Sequence, residues 1–263
     1  MFPRLISCAA AFLGATILMA PSITHAQLES GGGAPAADPC QSVLHGTNSY
    51  IVCELDLRRY VVRTYWKRQD GKAYGSIWGL VRGLWTDGKR PLLVMNAGMF
   101  HEDRAPVGLY VEDGKMLVNP DTSDGAGNFY MKPNGVFFIA GDRAGILETT
   151  RFVKDKPKVD FATQSGPLLM IDGVMHPRIS PRGTSRHIRN AVGVRGPHTI
   201  VLAISKRPVT FGDVATLFKD KLAIGTALYL DGSISGIYAA RTAPKHLFVP
   251  IGPMIGAYAR RPR

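Results

Sequence analysis

Four stretches of this chain place polar side chains beside glycines at the ends of apolar runs. Residues 227–236 read Ala-Leu-Tyr-Leu-Asp-Gly-Ser-Ile-Ser-Gly. The apolar part has the pattern of a short buried strand. It runs into Asp231-Gly232, a turn signal because glycine reaches φ > 0 without steric cost. Asp231, Ser233 and Ser235 would then be a carboxylate and two hydroxyls mounted on the end of a core strand. Residues 92–95, all apolar, lead in the same way into Asn96, Gly98 and Phe100. Gln164-Ser165-Gly166-Pro167 precedes another apolar run, and Arg186-His187-Ile188-Arg189-Asn190 precedes Ala191-Val192-Gly193. Each stretch alone is ordinary loop chemistry, and a hairpin turn with a solvated aspartate is the plainer reading of residues 231–232.

Several familiar constellations are absent from the sequence. His187 and His198 lack zinc-ligand spacing, and no Cys/His cluster exists. No Gly-x-Ser-x-Gly elbow occurs, and Ser165 has Leu168 where a Ser-x-x-Lys hydrolase needs lysine. Residues 83–89 approach a phosphate-binding loop, but Arg90 replaces the required hydroxyl and Pro91 forbids the helix that would follow.

The elements that must position these residues are short. Ile51, Cys53, Leu55 and Leu57 fall on one face of a strand region over 50–66. Ile77, Leu80, Val81, Leu84 and Trp85 follow helical spacing, closed by Asp87-Gly88. Asp113-Gly114, Gly141-Asp142 and Asp172-Gly173 each separate two short apolar runs and predict hairpins. Asn134-Gly135 opens a further strand. Thr210 with Asp213 has the pattern of a capping box, opening a helix in which Val214, Leu217, Phe218 and Leu222 share a face. The expected class is α+β: a single domain with mixed or antiparallel sheets and a few short helices.

The chain has 263 residues. Residues 1–26 read as a secretory signal peptide: Arg4, an apolar run too short to span a bilayer, then Thr24-His25-Ala26 as a small-residue cleavage site. Residues 27–38 are a flexible leader rich in glycine, alanine and proline, and 39–263 form the domain. The expected location is periplasmic or secreted, with no membrane span. Cys40 and Cys53 are then an even pair in an oxidising compartment and predict a disulfide, two buried thiols being the alternative. The formal charge of +12 favours anionic partners. No basic run is interleaved with stacking aromatics, which argues against nucleic acid; general surface charge would serve as well.

Taken together, the order and spacing of five motifs resemble the phosphodiester glycosidase family. They are 96–100 (Asn-Ala-Gly-Met-Phe), Asn134-Gly135, Ser165-Gly166-Pro167, 189–193 (Arg-Asn-Ala-Val-Gly) and 231–235 (Asp-Gly-Ser-Ile-Ser). The chain departs from the family's pattern at Ala97, Asn190, Ser233 and Ile234. The resemblance implies cleavage at a sugar's anomeric carbon with a phosphate ester leaving, on an anionic small molecule or glycan that carries phosphate. It implies Asp231 as the carboxylate at the anomeric centre, with Arg189 and Ser235 in the catalytic set. Arg189 and its neighbour Arg186 would hold phosphate, because a guanidinium offers a bidentate fork. Asn96, Gly98, Phe100, Asn134, Ser165, Gly166 and Gly232 would line the substrate, and Glu102 or Asp103 could add a second carboxylate. No cofactor is called for. Asp231 and Asn96 are hard oxygen donors, so a divalent cation such as calcium or magnesium stays open. A cell-envelope glycan-binding protein without catalysis is the second reading, because a fold does not dictate a function.

Overall fold

Strands buried on both faces read as unbroken apolar runs. The computed structural model describes residues 38–231, 234–240 and 242–260, and in it the apolar runs of this chain are strands. The order is β1 (Cys40–His45), β2 (Asn48–Asp56), β3 (Tyr60–Tyr65), α1 (Ile77–Thr86), β4 (Pro91–Asn96), β5 (Tyr110–Glu112), β6 (Lys115–Val118), β7 (Gly135–Ala140), β8 (Arg143–Glu148) and α2 (Thr149–Asp155). It continues with β9 (Phe161–Ser165), β10 (Leu168–Ile171), β11 (Val174–Met175), β12 (Asn190–Arg195), β13 (Thr199–Ser205), α3 (Phe211–Thr216), β14 (Ala227–Tyr229), β15 (Ile237–Ala239), β16 (Thr242–Lys245) and β17 (Met254–Ala259). The signal peptide, all but the last residue of the leader, Gly232 and Ser233 lie outside the described residues.

Three antiparallel sheets enclose one core. Their orders are β1-β2-β13-β12-β14-β10-β11, β16-β15-β4-β17-β3 and β6-β5-β9-β7-β8. The two-residue period of a strand sends alternate side chains to opposite faces. Leu93 and Met95 of β4, Phe137 and Ile139 of β7, and Leu202 and Ile204 of β13 face the shared core. The residues between them face outward, and a helix covers each outer face. Val94 meets Leu80 and Leu84 of α1, and Val136 meets Phe152 of α2. Val201 and Tyr229 meet α3 and the π-helical turn Leu217–Lys221 that continues it. This is an α+β architecture.

Helices of six and seven residues are too short to persist alone in water. Burial holds them, at roughly 1.5–3 kcal/mol for each large apolar side chain taken from solvent. The Thr210 capping box adds about 1 kcal/mol: Thr210 Oγ1 accepts the Asp213 N–H at 3.0 Å, and Asp213 Oδ2 accepts the Thr210 N–H at 2.8 Å.

The disulfide joins Cys40 to Cys53, register partners across the β1–β2 hairpin. Three local readings change. Gln164 and Ser165 belong to β9 and not to a loop. The helix after Thr210 ends at Thr216 and widens into the π-helical turn. Strand β2 is buried on both faces, since Tyr50 and Val52 also pack inward, beneath α3. Among the described residues no helix is long and apolar enough to cross a membrane.

His176, just after β11, is buried. Its Nδ1 accepts the Arg178 N–H at 3.1 Å. The neutral ring therefore carries its proton on Nε2, which has no well-aligned acceptor. Burial pulls its pKa below the ordinary 6.5; Arg178 adds to that pull, and the Lys132 and Met131 carbonyls oppose it. The unfolded chain then binds the proton more readily, so stability is lost as pH falls through about 6.5. Urea midpoints measured against pH should show that loss, and His176→Gln should flatten it. An unchanged profile in the variant would remove His176 as its source.

Candidate active site

A strand that crosses an apolar core needs a polar partner where its ladder ends. The three sheets meet at one such end. Asn96 closes β4, Ser165 closes β9, Asn190 opens β12, and Asp231 lies two residues beyond β14. All four are buried. Residues from each sheet are thereby brought together at one junction.

Asn190 ties the junction together. Its Nδ2 donates to the Asn96 backbone oxygen at 3.0 Å and to Asn96 Oδ1 at 3.1 Å. Its Oδ1 accepts the Asp231 N–H at 3.0 Å. Its backbone oxygen accepts the Leu230 N–H at 3.1 Å. The Asp231 amide can only donate, so it dictates which amide atom of Asn190 faces it. Asn96 Oδ1 also accepts the Gly236 N–H at 2.9 Å. Asn96 Nδ2 is buried with no hydrogen-bond partner among the described residues. Ser165 Oγ donates to the Leu230 oxygen at 2.5 Å, adding the third sheet.

Ser235 Oγ lies 2.6 Å from the Asp231 backbone oxygen, 2.8 Å from that of Ile188 and 3.5 Å from Asn190 Oδ1. One hydroxyl proton serves these acceptors, so Ser235 is tied to the backbone at Asp231 and Ile188. Because Asn190 serves two strand ends at once, Asn190→Ala leaves the Asp231 amide and the Asn96 carbonyl short of partners. We expect it to cost about 2–4 kcal/mol, at 1–3 kcal/mol for each buried group orphaned, read as a lowered denaturant midpoint. A cost below about 0.5 kcal/mol would show the hub to be dispensable.

Arg189, one residue before the hub, is 1% exposed. Its Nε donates to the Val209 oxygen at 2.9 Å, one terminal nitrogen to the Tyr229 hydroxyl at 3.1 Å, and the other to the Ser185 oxygen at 3.1 Å. The guanidinium lies 3.7 Å from the centre of the Phe211 ring, a cation–π contact. Burial lowers its pKa, with Tyr229 and Asp213 opposing. Tyr229 is pushed up by burial and, less, by Asp231, while Arg189 pulls it back.

The remaining residues divide by place. A Cβ on Gly98 would sit 2.4 Å from the Gln164 oxygen, and one on Gly166 would sit 2.5 Å from the Phe129 oxygen. Both glycines permit chain crossings beside the junction. Asn134 Nδ2 donates to the Phe129 oxygen at 2.8 Å, bracing the same crossing. Phe100 bridges to Pro106 and packs beside Ile251. Glu102 and Asp103 lie on an exposed turn, where Asp103 accepts the Ala105 N–H at 2.9 Å. The Arg186 side chain is 55% exposed and pairs with Asp213 at 3.5 Å. It borders a cleft of about 390 Å³ that Ser235 also lines. Sequence reading did not assign Asn190, Tyr229 or Gln164 a place in the site. The signal for Asn190 was its position between Arg189 and an apolar strand. Gln164 Oε1 accepts the Leu109 and Asp121 N–H groups at 3.0 and 2.9 Å.

Comparison with known proteins shows the family. The phosphodiester glycosidase family model matches residues 90–253, a span that contains Asn96, Ser165, Asn190 and Asp231. The chain is 40% identical over 177 residues to the uncharacterized protein YigE of Escherichia coli (strain K12), covering 67% of this chain and 69% of that one. Among solved structures it resembles the catalytic domain of zebrafish N-acetylglucosamine-1-phosphodiester alpha-N-acetylglucosaminidase, auto-inhibited there by its pro-peptide. The TM-score is 0.57 at 16% identity, over 84% of this chain and 82% of that domain. With the motif residues gathered at one junction of this fold, the chain belongs to the phosphodiester glycosidase family.

Proposed function

We propose that this protein is a periplasmic or secreted hydrolase that cleaves a glycosyl phosphodiester at the anomeric carbon. One observation carries the reading: Asn190 holds Asp231 beside Asn96, whose buried Nδ2 has no acceptor among the described residues. An unpaired buried donor costs about 1–3 kcal/mol, and a sugar hydroxyl or phosphate oxygen would satisfy it. The name of the zebrafish relative describes a glycosidase acting on a sugar-1-phosphodiester, which supports the same chemistry here.

In the reaction the bond between the anomeric carbon and the phosphate oxygen breaks, with both electrons leaving on oxygen. Water supplies the new hydroxyl, giving a free sugar and a phosphomonoester. A phosphate ester leaves as a stabilised anion, so the chief demand is on the oxocarbenium-like centre. Asp231 supplies the carboxylate there. Arg186, paired with Asp213 and exposed at the edge of the cleft, is the cation that meets the phosphate. Arg189 acts from beneath, holding Tyr229 and the end of β14, and Ser235 holds the turn. The test is sugar release from a panel of glycosyl phosphodiesters and matched phosphate-free glycosides, using the purified mature protein. Release from the diesters alone supports the reading. No release from any member, with glycan binding retained, moves the protein to the envelope-binding reading.

A further inference from the structure

The cleft of about 390 Å³ beside Ser235 joins aliphatic walls to basic side chains. Ile188, Pro208, Ile234 and Val249 supply aliphatic surface, and Arg186, His187 and His246 supply the groups that can carry charge. Among the described residues no carboxylate lines it, and the one hydroxyl among them, that of Ser235, is turned toward backbone oxygens. One residue before Val249, Phe248 is 73% exposed, the highest value among the large apolar side chains described, and its ring lies 6.2 Å from that of Trp78.

We infer that this cleft takes the leaving-group side of the diester, and that the alcohol esterified to the phosphate there is apolar. The inference rests on the proposed reaction and names its substrate class. A leaving group rich in hydroxyls would lose water against the aliphatic part of this cleft, where Ile188, Pro208, Ile234 and Val249 offer no hydrogen-bonding side chain. An alkyl or other hydrocarbon alcohol would lose nothing by the same transfer. The phosphate at its head meets Arg186 at the rim, where opposite charge and partial exposure suit an anion. The cleft and the Asp231 junction share Ser235, so one molecule with a sugar, a phosphate and a hydrocarbon tail could reach both.

The test separates the tail from the reaction. Methyl, butyl and octyl phosphate are titrated into the full protein by calorimetry, with octanol as the tail without a charge. Affinity should rise about twofold or more per methylene over the first four, below the full transfer value because the cleft is open. Octanol should not bind measurably. Pro208→Glu, at an exposed position of the wall, should bring the octyl-to-methyl ratio toward one, and Val249→Asp should repeat the effect. Arg186→Gln should weaken all three phosphates by a similar factor. Equal affinity for methyl and octyl phosphate, or an unchanged ratio in both wall variants, overturns the inference. Glycosyl phosphodiesters with the same three alcohols are then assayed for sugar release. Turnover indifferent to the alcohol sinks the inference and leaves the glycosidase reading standing. Chain-length-dependent binding without any turnover does the reverse.

Discussion

Asp231→Asn should lower kcat/KM on a cleaved glycosyl phosphodiester by about 10²–10⁴-fold, or about 3–5 kcal/mol of transition-state stabilisation. The substitution removes the negative charge and keeps the shape of the side chain. Asp231 is anchored through its main chain: its N–H donates to Asn190 Oδ1, and its carbonyl accepts from Ser235. Asparagine keeps both bonds and nearly the same volume. The melting temperature should therefore move by no more than about 3 °C, the shift that ~1 kcal/mol produces in a domain of this size. Substrate affinity should stay close to that of the parent. A carboxylate working at the anomeric centre separates these readouts in that way, because its effect is confined to the transition state. Activity retained within about threefold would remove Asp231 from the chemistry and leave it a turn residue. A collapse of stability with activity would assign it a structural role.

Arg189→Ala should have the largest effect on stability, about 3–5 kcal/mol. The side chain is fully buried, and its guanidinium donates to Val209, Ser185 and Tyr229. Truncation takes a donor from each of these acceptors, of which the Val209 oxygen keeps the His187 N–H, at about 1–3 kcal/mol for each left unpaired where water cannot reach. It also opens a cavity against Phe211. Arg189→Lys should recover less than half of the loss, because an ammonium cannot reproduce the planar fork or its stacking. Denaturant midpoints with an unchanged slope would measure both variants. A direct phosphate ligand predicts another pattern: normal stability, a raised KM for diesters, and no change toward phosphate-free glycosides. That pattern would return Arg189 to the role that its motif suggested and would displace Arg186 from it.

Much of the architecture was legible because it depends on short-range patterns. The hairpins at Asp113-Gly114, Gly141-Asp142 and Asp172-Gly173 are strand pairs in the structure. Helix α1 buries Ile77, Leu80, Val81 and Leu84 as the periodicity predicts. Trp85, at the edge of that stripe, is partly exposed. Strand β9 was missed because Thr163, Gln164 and Ser165 are polar, and polar residues at the end of an apolar run read as loop. They are buried because Gln164 bonds Leu109 and Asp121, and Ser165 bonds Leu230, all far away in sequence. Helix α2 was missed because its seven residues hold through Phe152 packing on Val136 and not through propensity.

The same division runs through the site. The sequence by itself determined which residues are candidates for chemistry, that a carboxylate stands at the end of a core strand, that two cysteines can pair, and which family order the motifs follow. Residue type and local backbone preference suffice for those. Tertiary structure alone decided that Asn190 joins Asn96 to Asp231 across 94 and 41 positions of chain. It also decided that Arg189 is buried and Arg186 exposed, although the two stand three residues apart. A hydrogen bond between distant strand ends depends on how three sheets close on one core. No window of sequence contains that information, because burial and partner are set by the packing of the whole domain.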